Sequence, residues 1–188
     1  MTIESKAKKI FRLSESKNNP IYPPEQVFVN TNLEFLVTFG FGIANDEKEY
    51  QKLINLLKEL SETEFYLLEN LGATITDRSA PHQEIISVQS SFEDFQRIVE
   101  SIDYPFGFTI NSFYFFGQNT NWGIYICEHP TINIIGCTPD LLEKFADVFE
   151  IVGNGFIENV DFIAREYQYK LNILETFVEN YKLQKRMP

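Results

Sequence analysis

The sequence has little of what disulfide frameworks, metal sites and membrane spans require. Its 188 residues include only two cysteines, two histidines and one tryptophan. So few cysteines exclude a disulfide-rich scaffold, and free thiols in a reducing compartment are the simplest account of Cys127 and Cys137. No apolar run follows the lysines near the start, and no stretch approaches the ~20 apolar residues of a membrane span. We therefore predict a cytoplasmic protein without a signal peptide or membrane-spanning segment.

Positive charge is also scarce. The 16 Lys and Arg residues are outnumbered by 27 Asp and Glu residues, which gives a net charge of −11. Binding to nucleic acid requires basic side chains that displace counterions from phosphates, and anionic membrane surfaces attract the same residues. The charge therefore predicts neither of these partners. It leaves two interpretations, which are solubility alone and attraction to a basic partner.

Apolar and aromatic residues are plentiful. Hydrophobic residues make up 44% of the chain, which contains 18 Phe and nine Tyr. A chain of this length buries enough apolar surface to fold without disulfides or metals. We predict a single domain over residues 1–188, in which residues 1–19 form a polar N-terminal segment that is free to move.

Alternating and continuous apolar runs predict strands. Every second residue from Leu33 to Ile43 is apolar, which predicts one strand with Val27–Val29 as its hairpin partner. The segments Phe108–Gly117, Trp122–Glu128 and Thr131–Cys137 are joined by short polar connections and predict an antiparallel meander. Between the first strand and the meander we predict further strands at Ala73–Thr76 and Glu84–Gln89, whereas Phe65–Leu68 fits either a strand or a helix.

Helix starts are marked by capping residues. Asp46, Ser91 and the Thr138-Pro139 pair each precede an apolar stripe of helical spacing. A fourth and longer stripe predicts a C-terminal helix from about Asn159 to Leu183. The predicted fold class is α+β, with an antiparallel or mixed sheet of five to six strands covered mainly on one side by about four helices.

The Gly40-Phe41-Gly42 pair invites comparison with nucleotide-binding loops. Asn45 stands where the dinucleotide motif needs its third glycine, and the Lys-Ser/Thr of a P-loop is missing. Glycines inside a strand more often mark close packing or a bulge. We therefore predict no nucleotide site there.

Cysteine and histidine residues do not form a recognisable metal motif. Cys127, His129, His82 and Cys137 lack the paired spacing of a four-ligand zinc site. Cys137 precedes a predicted helix, so its pKa would be lowered if the thiol faced the N–H groups of that helix. The alternative is that both cysteines are small core residues. We predict no metal and no cofactor.

Asp77, Ser79 and His82 lie in one predicted loop and resemble a hydrolase triad only superficially. Triad members normally come from separate segments, and no Gly-x-Ser-x-Gly motif surrounds Ser79. We interpret the loop as a solvated turn and assign no catalytic residue. Scattered Asp and Glu residues remain able to serve a hydrolase or transferase.

Acidic residues concentrate in two stretches. Residues 46–103 hold 13 acidic and five basic residues, and residues 128–166 hold eight and two. Such residues form either solvated helix faces or an acidic docking surface. For the docking surface we name Glu59, Glu62 and Glu64 as partner-binding residues.

Trp122, the one tryptophan, starts a predicted strand beside an Asn-rich turn. It is either a core residue or an interface anchor, since tryptophan is enriched at binding hot spots. We therefore include it among the candidate partner-binding residues.

Residues 113–145 combine an aromatic strand that ends in glycine, a Trp-Gly-Ile-Tyr-Ile strand, an Ile-Ile-Gly-Cys strand and a Thr-Pro-Asp-Leu-Leu helix start. This arrangement resembles small acidic immunity-type proteins of bacterial toxin systems. The resemblance implies neutralisation of a toxin by tight binding, with acidic residues facing a basic nuclease, and it implies no catalytic residues.

The functional prediction is a non-catalytic protein-binding module of immunity type, which neutralises a basic toxin through an acidic surface. The alternative is a small-molecule-binding protein, or a hydrolase or transferase that uses scattered Asp and Glu. Because the sequence contains no complete catalytic motif, we favour binding over catalysis.

Overall fold

The computed structural model describes residues 2–14, 21–29, 32–39, 42–73, 80–101, 112–127 and 131–183. At its centre lie six strands, β1 (Glu34–Phe39), β2 (Glu64–Glu69), β3 (Gln83–Ser87), β4 (Phe113–Gly117), β5 (Trp122–Cys127) and β6 (Ile132–Cys137). They form one sheet in the order β1-β6-β5-β4-β2-β3, and every neighbouring pair is antiparallel. The predicted α+β class and the β4–β5–β6 meander are confirmed.

Both faces of this sheet are buried. In β4, Phe113 and Phe115 point into one apolar cluster, while Tyr114 and Phe116 point into another on the opposite face. This is the alternation that a pleated strand imposes. Strands whose odd-numbered and even-numbered residues are both apolar are typical of a sheet that is covered on both faces. The prediction of a sheet covered mainly on one side is therefore wrong.

Seven α-helical segments lie within the described residues, and none is long and apolar enough to cross a membrane. They are α1 (Ile3–Ala7), α2 (Gly42–Asn45), α3 (Glu47–Glu59), α4 (Phe92–Ser101), α5 (Leu142–Val148), α6 (Phe156–Glu166) and α7 (Leu171–Asn180). Helices α3, α4 and α5 cover the first face, where Tyr50, Phe95 and Phe145 join the apolar side chains of the strands.

Helices α3 and α4 begin where the capping residues predict, whereas Thr138 precedes a 3-10 turn over Pro139–Leu141 and α5 begins after it, at Leu142. The side chain of Asp46 accepts hydrogen bonds from the amides of Lys48 and Glu49, at 2.8 and 3.2 Å. The hydroxyl of Ser91 accepts from the amide of Asp94 at 3.1 Å. These bonds satisfy N–H groups that the first turn of a helix leaves unpaired.

The second face is covered by α1, α6 and α7 and by the irregular stretches 8–14 and 21–29. Phe11 and Phe28 are each 1% exposed and form an isolated bridge with one another. Phe28 therefore pairs with residue 11, and the predicted hairpin between Val27–Val29 and β1 is wrong.

Two glycines in the sheet make room for these phenylalanines. A Cβ atom on Gly123 would lie 2.5 Å from Phe11 Cζ, and one on Gly136 would lie 2.7 Å from Phe28 Cε1. A larger residue at either position would require the facing phenylalanine ring to shift. Residues 2–14 belong to the segment described from the sequence as polar, and they contribute buried apolar side chains through Ile10 as well.

The predicted long C-terminal helix is wrong, because α6 and α7 are separate. Between them, Gln168 and Tyr169 have φ values of 56° and 57°, in the left-handed region that interrupts an α-helix. The apolar stripe continues across the break, since Ile163 of α6 and Phe177 of α7 are both buried against the second face. The helical period of the sequence therefore did not reveal the turn.

The first predicted strand is also shorter than its alternation suggests. Strand β1 ends at Phe39, whose side chain is 52% exposed, and Ile43 lies in α2. Gly40 and Phe41 fall outside the described residues. The predicted strand near Glu84–Gln89 is present as β3, Phe65–Leu68 lies in β2, and residues 74–76 are outside the described residues.

Candidate functional site

Neither cysteine has the surroundings of a reactive thiol. Cys127 and Cys137 form no disulfide and are both buried, and they belong to the clusters on opposite faces of the sheet. Burial, together with the nearby charge of Asp140, raises the pKa of Cys137 to about 12. A thiol with this pKa stays protonated at neutral pH, so the lowered pKa that a helix N-terminus would give is not observed.

The residues of the superficial triad are only partly described. Asp77, Ser79 and His129 fall outside the described residues. His82 is held at the start of β3, where its backbone amide donates to Glu69 Oε2 at 2.8 Å and its Nε2 lies 3.0 Å from Glu84 Oε1. In the part of the chain that the structure describes, no three His, Cys, Asp or Glu side chains are grouped to hold a metal ion.

Trp122 is a core residue. Its side chain is fully buried, and its ring centroid lies 5.4 Å from that of Phe145 in α5. Its indole N–H donates to Glu62 Oε1 at 3.4 Å. The core interpretation is confirmed, and Trp122 has no surface to offer a partner.

Glu62 is buried as well, so the expectation that it is exposed is wrong. Only 2% of its surface is accessible, and its carboxylate accepts from the amides of Gln118 and Asn119 at 2.8 and 3.2 Å. In return, the side chain of Gln118 accepts from the amide and hydroxyl of Thr63. Buried charges are retained where hydrogen bonds replace water. Glu62 therefore holds the β4–β5 turn against the end of α3.

Glu59 and Glu64 lie on opposite faces of the molecule. Glu59 ends α3 and forms a 3.2 Å ion pair with Lys144 of α5. Glu64 lies beside Tyr66 on the second face, where it bonds the Tyr66 hydroxyl and lies 3.8 Å from Lys6 Nζ. The four residues named from the sequence therefore do not form one surface, and Glu59 alone lies on the first face and is exposed.

The segments that cover the two faces of the sheet differ in net charge, which becomes clear once the structure assigns each segment to a face. We call residues 46–60, 92–101 and 139–150, which include α3, α4 and α5, the acidic layer. They carry 11 acidic and five basic residues, a net charge of −6. We call residues 2–14, 21–29 and 156–183 the tyrosine layer. They carry seven acidic and seven basic residues, which cancel.

Most of the basic residues in the acidic layer are already paired. Lys48 and Lys52 of α3 both bond Glu150, at 2.9 and 3.0 Å, and Arg97 pairs with Asp94 within α4. The hydrogen bonds from the two lysines lower the pKa of Glu150 to about 2. These pairs leave an excess of exposed carboxylates, namely Glu47, Glu93, Glu100, Asp140 and Asp147.

A groove of about 510 Å³ runs between α3 and α5. Leu56 and Val148 contribute its apolar lining, Glu59, Glu143 and Asp147 its acidic lining, and Lys52 and Lys144 its basic lining. Lys52 crosses one end, where its ammonium donates to the backbone carbonyl of Asp147 at 3.1 Å. Because the three carboxylates exceed the two lysines by one, the groove suits a further long basic side chain, whose alkyl stem packs while its charged end is paired.

Beside this groove, Glu49 has an unusual pKa. Burial, which has the largest effect, and the neighbouring charges of Asp46 and Glu150 together raise the pKa of Glu49 to about 7, against the opposing effect of Lys52. A carboxyl group with this pKa titrates near neutrality. The sequence did not single out Glu49, because Glu150 lies about 100 residues away and the burial depends on the packing of α5.

Comparison with known proteins finds no relative of this chain. No family model matches it, and neither a curated protein nor a solved structure does.

Proposed function

We propose that this protein is a non-catalytic binding module that docks a basic protein on its acidic layer, in the manner of immunity-type proteins of bacterial toxin systems. The single observation that carries the proposal is the charge difference between the two layers. One side has a net charge of −6 while the other is neutral. An excess of charge on one face orients an approaching partner. Charge that serves only solubility can be spread evenly over the whole surface.

In this proposal, a side chain of the basic partner docks in the groove between α3 and α5. Its apolar lining by Leu56 and Val148 and its excess of one carboxylate over lysine match a lysine or arginine side chain of the partner. The surrounding carboxylates of α4 and α5 extend the attractive field beyond the groove. A cytoplasmic location fits two cysteines that form no disulfide.

The test compares matched charge reversals on the two layers. Where the reading frame beside that of this chain encodes a basic, toxin-like protein, that protein is the partner to be tested. Glu47→Lys, Glu93→Lys and Glu100→Lys change exposed residues of the acidic layer, and Glu158→Lys, Glu166→Lys and Glu175→Lys are the controls on the tyrosine layer.

We expect the first triple variant to slow association at least tenfold at low salt, and the control to slow it much less. The association rate of the wild type should fall as salt shortens the Debye length from ~30 Å at 0.01 M to ~8 Å at 0.15 M. Stopped-flow mixing measures both effects. Equal slowing by both triple variants, or no salt dependence, contradicts the proposal.

A second candidate function rests on Glu49. A carboxyl group with a pKa of about 7 beside a groove has the proton affinity that general acid–base catalysis needs. On this interpretation the chain is a small-molecule-binding protein, hydrolase or transferase. A metabolite that raises the melting temperature of the wild type but not of Glu49→Gln, with no protein partner recovered, would favour it over docking.

A further inference from the structure

Among the described residues, β3 is the last strand of the sheet and pairs on one side only, with β2. Hydrogen bonds from Glu69 N to His82 O and from Val88 N to Thr63 O bracket its pairing with β2, at 2.9 and 3.1 Å. In an antiparallel ladder the backbone groups of alternate residues point to opposite sides. The N–H and C=O groups of Gln83 and Ile85 and the N–H group of Ser87 therefore point away from the sheet.

Two features limit this open edge to five residues. Pro81 has no N–H group and precedes the strand. At the other end the chain turns, since Ser87 O and Ser87 Oγ accept from the amides of Ser90 and Gln89. In the middle, the side chain of Ile85 is 57% exposed and lies on the same face as Tyr66. An open edge with an exposed apolar residue is a template for another strand.

We propose that a second copy of this chain pairs with β3 along this edge, antiparallel and about a two-fold axis at Ile85. In this register the two copies of Ile85 are opposite one another and exchange both backbone hydrogen bonds. Gln83 of each copy then faces Ser87 of the other. The two sheets join into one of twelve strands, and the two exposed isoleucine side chains cover each other.

The sequence of the edge selects this register among the symmetric ones. A two-fold axis at Gln83 would place Ile85 opposite Pro81, which cannot donate to the ladder. An axis at Ser87 would place Ile85 opposite Gln89, in the turn that leaves the strand. Only the axis at Ile85 pairs all five residues of β3 with one another, and it sets Glu84 opposite Ile86, so that like charges do not face one another.

The salt dependence of this pairing is opposite to that of docking to a basic protein. Each copy has a net charge of −11, so salt screens the repulsion between two copies and strengthens the pairing. The same salt weakens attraction between the acidic layer and a basic partner. The two proposals therefore succeed or fail separately.

Cross-linking tests the geometry. Opposed residues that exchange both bonds have Cα atoms about 5.5 Å apart, within the range that a disulfide spans. We expect mild oxidation to join Ile85→Cys into a covalent dimer, because Cys127 and Cys137 are buried and do not compete. The control is Ile157→Cys, at a residue of α6 that is 47% exposed. Absence of the Ile85→Cys dimer, or equal cross-linking of both variants, overturns the proposal.

Sedimentation equilibrium tests the affinity. We expect wild-type protein to dimerise more strongly as salt increases, and Ile85→Lys to raise the dissociation constant at least tenfold by placing two ammonium groups together. Ile157→Lys should behave as wild type. A wild-type protein that stays monomeric up to ~1 mM at every salt concentration contradicts the proposal, as does an Ile85→Lys variant that dimerises normally.

Discussion

The acidic layer and the tyrosine layer cover the same sheet by different physical means. The acidic layer consists mainly of three helices, which satisfy their own backbone groups and need only apolar side chains to pack on the strands. The tyrosine layer includes irregular stretches whose backbone must find other partners. Five tyrosines line that side, namely Tyr66, Tyr114, Tyr125, Tyr167 and Tyr181.

Several of these tyrosine hydroxyls bind backbone carbonyls of the irregular stretches. Tyr167 donates to Pro23 O at 2.6 Å, and Tyr181 donates to Glu25 O and accepts from the amide of Val27. Burial raises the pKa of Tyr181 well above its ordinary value, so the hydroxyl stays protonated and able to donate. Regular helices therefore leave their exposed side chains available to carry charge. An irregular covering instead uses polar side chains to bind its own backbone groups.

The largest expected effect breaks the apolar packing under the acidic layer. Trp122→Ala removes a fully buried side chain between β5 and α5 and leaves the Glu62 carboxylate without its indole donor. We expect the free energy of unfolding to fall by about 3–5 kcal/mol. Urea titration measures this loss, and a change below ~1 kcal/mol would contradict the core assignment of Trp122.

The next effect compares two glutamates that the sequence treated alike. Glu62→Gln turns an acceptor of three N–H groups into a side chain with one acceptor oxygen and a competing NH₂ group. We expect it to lower the free energy of unfolding by about 2–3 kcal/mol. The control, Glu64→Gln, changes a partly exposed ion pair and should cost at most about 1 kcal/mol. Equal losses in chemical denaturation would remove the distinction.

A smaller change tests how the tyrosine layer is held. Tyr181→Phe keeps the ring but removes the hydroxyl that binds Glu25 O and the amide of Val27. We expect a loss of about 1–2 kcal/mol, with faster amide hydrogen exchange concentrated in residues 21–29. Tyr50→Phe on the other side removes a single bond to Ser90 O and serves as the control. Unchanged exchange in residues 21–29 would show that the hydroxyl does not hold them.

The smallest effect concerns the pH dependence of the acidic layer. The pKa of Glu49 is about 7 when folded and near 4.5 when unfolded, so the folded state binds the proton more tightly between these values. The contribution of Glu49 to stability therefore falls as pH rises from about 4.5 to 7. Glu49→Gln should remove this decline and raise the free energy of unfolding at pH 8 by about 1 kcal/mol, after allowance for partial exposure. Denaturation of both proteins at several pH values checks the slope, and parallel curves would contradict the raised pKa.

The sequence predicted the parts of the fold whose signals are local. The capping residues Asp46 and Ser91 marked their helices, and the apolar runs joined by short polar turns marked the meander. The C-terminal break was missed because an apolar stripe reports which residues are buried, and Gln168 and Tyr169 change the backbone without changing that stripe. The covering on both faces was also missed. It could have been predicted, because successive residues of β4 are all apolar or aromatic and therefore occupy both faces of the strand.

The sequence by itself determined the composition of each segment, namely its net charge, its apolar period and its caps, because these depend on residues close together in the chain. Only the tertiary structure decided which glutamates are available to a partner. Glu59, Glu62 and Glu64 are separated by only a few residues, yet they lie in different places because α3 ends and β2 begins between them. Glu59 lies in the acidic layer, Glu62 is buried and Glu64 lies on the opposite face. Burial and surface potential depend on groups brought together from distant parts of the chain, as the pairing of Lys48 and Lys52 with Glu150 shows.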